Sequence, residues 1–133
     1  MIGQIAVFLE NKEGKASACC KVLQSAGVNM RSISIADTKD FGIFRFITDD
    51  NQKALSALKK AGFVSSLVEL VGVEVPDRTG ALAELLIALY EGGVSVEYMY
   101  SFTGQDNHAR IAIKTNTPEK AIAILEKEGA KVL

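Results

Sequence analysis

The spacing of apolar and polar positions changes along residues 1–68 in an order that indicates alternating strands and helices. Short apolar runs and strict alternation are typical of buried strands, whereas apolar positions three and four residues apart form one face of a helix. The predicted order is therefore βαββαβ. The predicted elements are a strand at 4–9, a helix at 14–26, strands at 28–36 and 42–48, a helix at 52–61 and a strand at 63–69.

Residues 69–133 show the same order of patterns. The last strand has only three residues in which to form, so we expect it to be short. Predicted turns at 37–40 and 104–107 join the middle strands of each half. The predicted elements are a strand at 70–75, a helix at 82–91, strands at 94–102 and 109–114, a helix at 118–128 and a strand at 131–133.

The residues themselves repeat, and not only their pattern. The second copy follows the first at an offset of 66 residues and, after the hairpin, of 67, which places a one-residue length change in a loop. We therefore predict two domains, residues 1–68 and 69–133, each a copy of one unit. The recurring pairs include Val7 and Val73, Gly14 and Gly80, Leu23 and Leu89, Gly27 and Gly93, Leu58 and Leu125, and Gly62 and Gly129.

The βαββαβ order is the split βαβ, or ferredoxin-like, arrangement of an α+β fold, an antiparallel sheet with both helices on one face. A unit of about 66 residues buries little core by itself, so the two units are expected to stabilise each other. We predict that they lie side by side as one eight-stranded antiparallel sheet with four helices on one face. The opposite face would then be free to form a homodimer.

Composition and charge favour a soluble, cytoplasmic protein that binds neither membranes nor nucleic acids. Hydrophobic residues make up 48% of the 133 residues, yet no apolar run reaches the length of a membrane helix, and no secretory signal opens the chain. Residues 1–66 carry nine Lys/Arg and six Asp/Glu, a net +3, whereas residues 67–133 carry six and ten, a net −4. Neither half is basic enough to indicate a nucleic-acid surface.

Nothing in the sequence indicates an enzyme, a metal site or a cofactor. His108, the only histidine, lies at the start of a predicted strand, and no Ser or Cys is placed to form a triad with it. Cys19 and Cys20 are neighbours in a helix, a spacing that suits neither a disulfide nor a metal. We interpret the two cysteines as small buried apolar residues.

The first strand-to-helix turn of each unit carries the most informative residues. It reads Asn-Lys-Glu-Gly at 11–14 and Asp-Arg-Thr-Gly at 77–80, and each helix is followed by Gly-Val and a small polar residue at 27–29 and 93–95. Twice over, this pattern resembles the ACT domain, a family of amino-acid-sensing regulatory modules of biosynthetic enzymes. Glu13 and Thr79 stand where the family often has proline, so the resemblance does not identify the ligand.

The resemblance implies that a free amino acid binds between the turn of one unit and the second strand of the other. The turn suits this ligand, since a helix N-terminus offers N–H groups to a carboxylate and an Asn or Asp side chain can accept from an ammonium. One predicted site combines Asn11, Lys12, Glu13 and Gly14 with Val94, Ser95 and Val96, and the other combines Asp77, Arg78, Thr79 and Gly80 with Val28, Asn29 and Met30.

The second of these sites is predicted to be the stronger. Glu13 brings a negative charge to the helix start of the first site, where it competes with a ligand carboxylate for the same N–H groups. At the second site the equivalent residue is the neutral Thr79, and Asp77 offers a carboxylate to the ammonium.

Three other interpretations stay open at this point. Asn11 and Asp77 could simply cap their helices. The protein could be a regulatory subunit that acts on an enzyme by contact and binds no ligand. The ferredoxin-like sheet could also bind RNA through Phe8, Phe44 and Phe46, although the equivalent positions of the second unit are Glu74, Ile111 and Ile113.

Overall fold

A computed structural model of the chain describes residues 1–37, 40–105 and 107–133. The two predicted hairpin turns include Thr38, Lys39 and Asp106, which lie outside the described residues. The strands are β1 (Ile2–Glu10), β2 (Met30–Asp37), β3 (Phe41–Thr48), β4 (Val64–Pro76), β5 (Tyr98–Gln105), β6 (His108–Lys114) and β7 (Lys131–Val132). The helices are α1 (Lys15–Ser25), α2 (Asn51–Lys60), α3 (Ala81–Glu91) and α4 (Pro118–Lys127).

The chain divides into two compact units. The first consists of Gly3–Val68, and the second combines Glu69–Leu133 with Met1–Ile2. Met1 belongs to the second unit because its ammonium donates a hydrogen bond to the Leu133 carbonyl, at 3.1 Å. The α+β class and the βαββαβ order of elements are confirmed.

The described residues form seven strands, so the prediction of eight is wrong. The predicted strands at 63–69 and 70–75 are one continuous strand, β4, which contributes Val64–Val68 to the first unit and Glu69–Pro76 to the second. No proline or turn sequence separates the two halves, since the first proline is Pro76 at the end of the strand. The side-by-side placement of the units stays a prediction.

In the first unit the strand order is β2-β3-β1-β4, and β3 pairs antiparallel with both β1 and β2. Alternate residues of β1 face the helices, and the Ile5 and Val7 side chains are completely buried there. Helices α1 and α2 pack against each other over this face. The core consists of Ile5, Val7, Leu9, Cys19, Leu23, Val28, Phe44, Phe46, Ala54 and Leu58.

The second unit repeats this topology with the order β7-β4-β6-β5. β4 pairs antiparallel with β6, and the short β7 pairs with β4 through Val132 and Lys131. Helices α3 and α4 pack against each other over the apolar face. The core consists of Val71, Val73, Val75, Ala81, Leu85, Leu89, Val94, Ile111, Ile113, Ala121 and Leu125.

All four helices end with the same pair of hydrogen bonds, a Schellman motif. In α3, the N–H of Gly93 donates to the Tyr90 carbonyl and the N–H of Val94 donates to the Leu89 carbonyl, at 3.0 and 2.8 Å. The side chains of Leu89 and Val94 are both buried, as this motif favours. The equivalent leucines of α1, α2 and α4 are Leu23, Leu58 and Leu125.

This motif explains why neither of two strands begins at its predicted first residue. β2 begins at Met30 instead of residue 28, and β5 begins at Tyr98 instead of residue 94. The N–H groups of Val28 and Val94 are bonded to the preceding helix and are therefore not available to the sheet.

A row of three charged side chains crosses the second unit on neighbouring strands. Glu74 of β4 pairs in register with Arg110 of β6 and with Lys131 of β7. Its carboxylate lies 3.2 Å from Arg110 Nη2 and 3.3 Å from Lys131 Nζ. Burial raises the pKa of Glu74, but the hydrogen bonds and charges of Lys131 and Arg110 outweigh it, so the pKa is lowered overall.

No helix among the described residues is long and apolar enough to span a bilayer. Both cysteines are free thiols. Cys19 is fully buried in the first core, and Cys20 is half-buried. Burial, and secondarily the neighbouring Cys20, raises the pKa of the Cys19 thiol to about 12, so this thiol is protonated and unreactive at neutral pH.

We expect Leu89→Ala to lower the free energy of unfolding by about 2–5 kcal/mol, because the substitution leaves a cavity in the core of the second unit. Urea denaturation followed by far-UV circular dichroism measures the change. The matched control on the same helix is Ile87→Ala, since the Ile87 side chain is 55% exposed. Equal losses for the two variants would contradict the assignment of Leu89 to the core.

We expect Glu74→Gln to reduce the sensitivity of the fold to acid. Since folding lowers the pKa of Glu74, its ionised form stabilises the fold above the unfolded-state pKa, and this contribution is lost as the pH falls through the folded-state pKa. Between about pH 6 and about pH 3, the free energy of unfolding should therefore fall further for the wild type than for Glu74→Gln. Glu126→Gln, at an exposed position, is the control and should behave like the wild type.

Candidate functional site

The two turns singled out in the sequence have the same backbone hydrogen bonds. In the second unit, the Arg78 N–H donates to the Pro76 carbonyl at 2.9 Å, and in the first the Lys12 N–H donates to the Glu10 carbonyl at 2.8 Å. The first hydrogen bond of each helix also recurs. The Glu84 N–H donates to the Gly80 carbonyl, and the Ala18 N–H donates to the Gly14 carbonyl. The duplication therefore extends to the detailed geometry of the turns.

Glycine is required at the start of both helices. Gly14 and Gly80 are the N-cap residues, with φ of 79° and 87° in the left-handed region. Neither α1 nor α3 has a side-chain hydrogen bond at its N-cap. The interpretation of Asn11 and Asp77 as simple helix caps is therefore wrong, because each lies three residues before the capping position.

In the second unit, Asp77 and Arg78 have separate roles. The Asp77 N–H donates to the Asn107 carbonyl at 2.8 Å, which attaches the turn to the β5–β6 hairpin, while its side chain is exposed. The Arg78 guanidinium binds both carboxylate oxygens of Glu84, at 3.1 and 2.8 Å. Its hydrogen bonds and charge lower the pKa of Glu84.

In the first unit, the equivalent backbone hydrogen bond recurs, but the ion pair uses other side chains. Asn11 donates its N–H to the Asp40 carbonyl at 3.2 Å, which attaches this turn to the start of β3. Lys12 forms an ion pair with Glu10 at 3.0 Å, and the pKa of Glu10 is lowered mainly by this hydrogen bond and charge. Turn and helix border a cavity of about 180 Å³ lined by Leu9, Glu10, Asn11, Lys12, Lys15, Ala16, Ile35 and Gly42.

Glu84 changes the electrostatic comparison between the two turns. Besides Glu13 and Thr79, which precede the helices, the first turn of α3 contains the carboxylate of Glu84, whereas the first turn of α1 contains no acidic residue. Arg78 compensates that charge by its bidentate contact. The predicted preference for the second turn, which stays a prediction, must therefore take account of the Arg78–Glu84 pair as well as of Thr79.

A cavity of about 260 Å³ lies beside the second turn, within the second unit. Arg78 is a predicted site residue that lines this cavity. The other lining residues were not predicted from the sequence. Eight of its lining positions align, at the repeat offsets, with positions that line a cavity of the first unit, and no sequence pattern marks them. The lining residues are Glu74, Pro76, Arg78, Ala81, Glu84, Leu85, His108, Glu128, Gly129, Ala130 and Lys131.

The predicted strand-two residues differ in accessibility. Val28 is buried and Met30 half-buried, whereas Asn29 is exposed. Asn29 is fixed by Asp49, whose side chain accepts the Asn29 N–H at 3.1 Å and whose own N–H donates to the Asn29 carbonyl. In the second unit Val94 is buried, Val96 is half-buried and Ser95 is exposed. The pairing of these segments with the turn of the other repeat stays a prediction.

Within the described ranges, no three His, Cys, Asp or Glu side chains are grouped so that they could hold a metal ion. His108 begins β6 and is exposed. The aromatic residues considered for RNA binding are not one platform, because Phe44 and Phe46 are buried in the core of the first unit and only Phe8 is exposed.

Comparisons with known proteins agree with this architecture. A solved structure from Bacteroides thetaiotaomicron is 37% identical to the chain, with a TM-score of 0.91 over 99% of this chain and 91% of that one. The regulatory subunit of aspartate kinase from Thermus thermophilus, in its ligand-free form, is 17% identical, with a TM-score of 0.65 over 94% and 91% of the two chains.

A structure of aspartokinase alpha and beta subunits is similar at 18% identity, with a TM-score of 0.61 over 94% and 90% of the two chains. At these identities the two kinase structures show a common fold. No curated protein sequence matches the chain at a significant level.

The family model described as an ACT domain pair matches residues 1–131, which include both turns and all four helices. The chain therefore belongs to the ACT domain pair family.

Proposed function

We propose that this protein is a non-catalytic regulatory module that binds a free amino acid at the Asp77–Gly80 turn and controls a partner enzyme. The observation that carries the proposal is the recurrence of one turn geometry, with a left-handed glycine at the helix start, in both copies of an ACT domain pair. The recurrence of this backbone in both copies favours a ligand-binding role for the turn over a role limited to reversing the chain direction.

The second turn offers complementary groups to both ends of an amino acid. The exposed Asp77 carboxylate can accept from the ammonium, and the N–H groups at the start of α3 can donate to the carboxylate. Gly80 has no side chain, and the space on that side of its backbone is open. A ligand can therefore approach the helix start closely. Because Arg78 neutralises Glu84, a ligand carboxylate would not meet an uncompensated charge in the first turn.

The proposed partner is an enzyme of biosynthesis. Among the structural neighbours are a regulatory subunit of aspartate kinase and an aspartokinase with alpha and beta subunits, so the fold occurs in regulatory chains of enzymes. By this proposal the chain assembles as a homodimer in the cytoplasm, contacts the enzyme, and itself converts no substrate. His108 and Cys20 would then have no catalytic role.

The proposal is tested first by a thermal-shift screen with each of the twenty amino acids. A ligand that binds only the folded state raises the melting temperature, and the rise increases with the ratio of ligand concentration to Kd. Stabilisation by one amino acid or one chemical group of amino acids supports the proposal. If none stabilises the protein, regulation by contact without a ligand becomes the better explanation.

We expect Asp77→Ala to weaken binding of that amino acid by about 1.5–3 kcal/mol, because the substitution removes a carboxylate that holds a charged group. The matched variant Asn11→Ala, at the equivalent position of the first unit, should cost less. Calorimetric titration of both variants measures the two losses. If Asn11→Ala abolishes binding while Asp77→Ala leaves it intact, the first turn is the binding site and our ranking is wrong.

A further inference from the structure

The first unit contains a second cavity, of about 270 Å³, that none of the predicted site residues lines. It lies between the end of β1, the first residue of α1, and the junction of α2 with β4, all within Gly3–Val68. We call it the phenylalanine groove, and it is lined by Phe8, Leu9, Glu10, Lys15, Phe41, Ala61, Gly62, Phe63 and Val64.

The phenylalanine groove and the 260 Å³ cavity of the second unit occupy equivalent positions of the repeat. At the offsets of 66 and 67 residues, eight of the lining positions correspond, so the fold forms the same depression twice. The corresponding pairs, first unit before second, are Phe8 and Glu74, Glu10 and Pro76, Lys15 and Ala81, Phe41 and His108, Ala61 and Glu128, Gly62 and Gly129, Phe63 and Ala130, and Val64 and Lys131.

The two cavities have opposite chemistry despite this common position. In the second unit, Glu74 and Lys131 are register partners on neighbouring strands and form an ion pair at 3.3 Å. In the first unit the same two positions are Phe8 and Val64, which remain 51% and 73% exposed. The groove therefore presents apolar surface to solvent at positions where the other copy has an internal ion pair.

The aromatic residues of the groove form an ordered surface for an apolar ligand. The rings of Phe8 and Phe41 are 5.1 Å apart and tilted by 48°, a separation typical of attractive ring pairs. Phe41 is 43% exposed, so a ligand ring or branched chain that covers this pair would remove apolar area from water. The cavity volume is slightly below the roughly 300–1,000 Å³ of drug-sized pockets, which restricts the occupant to a small molecule.

The charges at the groove favour an anion. Lys15 and Glu10 both line it, but the Glu10 carboxylate is held by Lys12 at 3.0 Å. The three side chains together carry a net positive charge. The Lys15 ammonium acts on Glu10 at a distance and lowers the pKa of Glu10, but it forms no ion pair with any described residue. In the second unit the position of Lys15 is taken by Ala81, which offers no charge to a ligand.

We infer that the phenylalanine groove binds a small carboxylate with an aromatic or branched apolar body. The apolar body lies on Phe8 and Phe41, and the carboxylate faces Lys15. The site needs no ammonium group on its ligand, and it is separate from the amino-acid site proposed at Asp77–Gly80. The protein would thus respond to two small molecules through different copies of the same unit.

The experiment is calorimetric titration of the full chain with 3-phenylpropionate, compared with 3-phenyl-1-propanol, which has the same apolar body and no charge. We expect saturable binding of the acid, and binding of the alcohol weakened about threefold to fivefold, because an exposed ion pair is lost. Lys15→Ala should remove the difference between acid and alcohol. This variant installs the residue of the second unit, so the unit's fold accepts it.

Phe8→Glu and Phe41→His install the other second-unit residues and test the apolar surface. Each should weaken binding of 3-phenylpropionate by about tenfold or more, since a polar group replaces a ring of the contact. Circular dichroism verifies that each variant is folded, and the two substitutions are tested separately so that one remains informative if the other unfolds. Glu74→Gln, in the equivalent cavity, is the matched control and should leave binding unchanged.

Several results would overturn the inference. Absence of saturable binding by the wild type would do so, as would binding that Phe8→Glu and Phe41→His leave unchanged. If 3-phenylpropionate does not bind and Phe8→Glu converts a dimer into a monomer in sedimentation, the occupant of the groove is a second copy of the chain.

The two proposed sites can fail independently. Asp77→Ala should leave 3-phenylpropionate binding unchanged, and Phe8→Glu should leave any amino-acid response in the thermal-shift screen unchanged. If Asp77→Ala or Phe8→Glu loses binding of both ligands, the two sites are not separate. That result contradicts this inference, whether or not Asp77 belongs to the amino-acid site.

Discussion

Each of the four helices is held by a leucine near its C-terminus that acts through both its side chain and its backbone. The side chains of Leu23, Leu58, Leu89 and Leu125 are buried in the two cores, while their carbonyls accept the N–H of the residue that follows the terminal glycine. One residue thus determines both where the helix rests on the sheet and where it ends. The position of each helix end in turn sets where the next segment begins, including the segments that contain Asn29 and Ser95.

The two units use one backbone to present different surfaces. The turns at Gly14 and Gly80 have the same backbone hydrogen bonds, and the equivalent cavities of the two units have similar volumes. The side chains around them have diverged, from Phe8 in one copy to the ion-paired Glu74 in the other. The two copies thus keep one fold and present different chemistry, because the fold depends on buried positions and the surface chemistry depends on exposed ones.

Much of the fold could be predicted because the local signals agree. Periodicity located all four helices to within a few residues, and the second copy confirmed the pattern of the first. The errors lie where periodicity has no information. An uninterrupted extended run cannot show whether residues 64–76 are one strand or two, and apolar residues 28 and 94 look like strand although their N–H groups belong to the helix ends.

The sequence by itself determined the family, the order of the elements and the two glycine turns, because each depends on residues that are close in the chain and occur twice. The tertiary structure alone decided which side chains meet around those turns. Glu84, in the first turn of α3, contacts Arg78 in the turn before the helix. Lys131 contacts Glu74, which lies 57 positions earlier in the sequence. The contact of Lys131 with Glu74 depends on strand register, which acts between segments that no local pattern connects, and the contact of Arg78 with Glu84 depends on how the turn enters the helix.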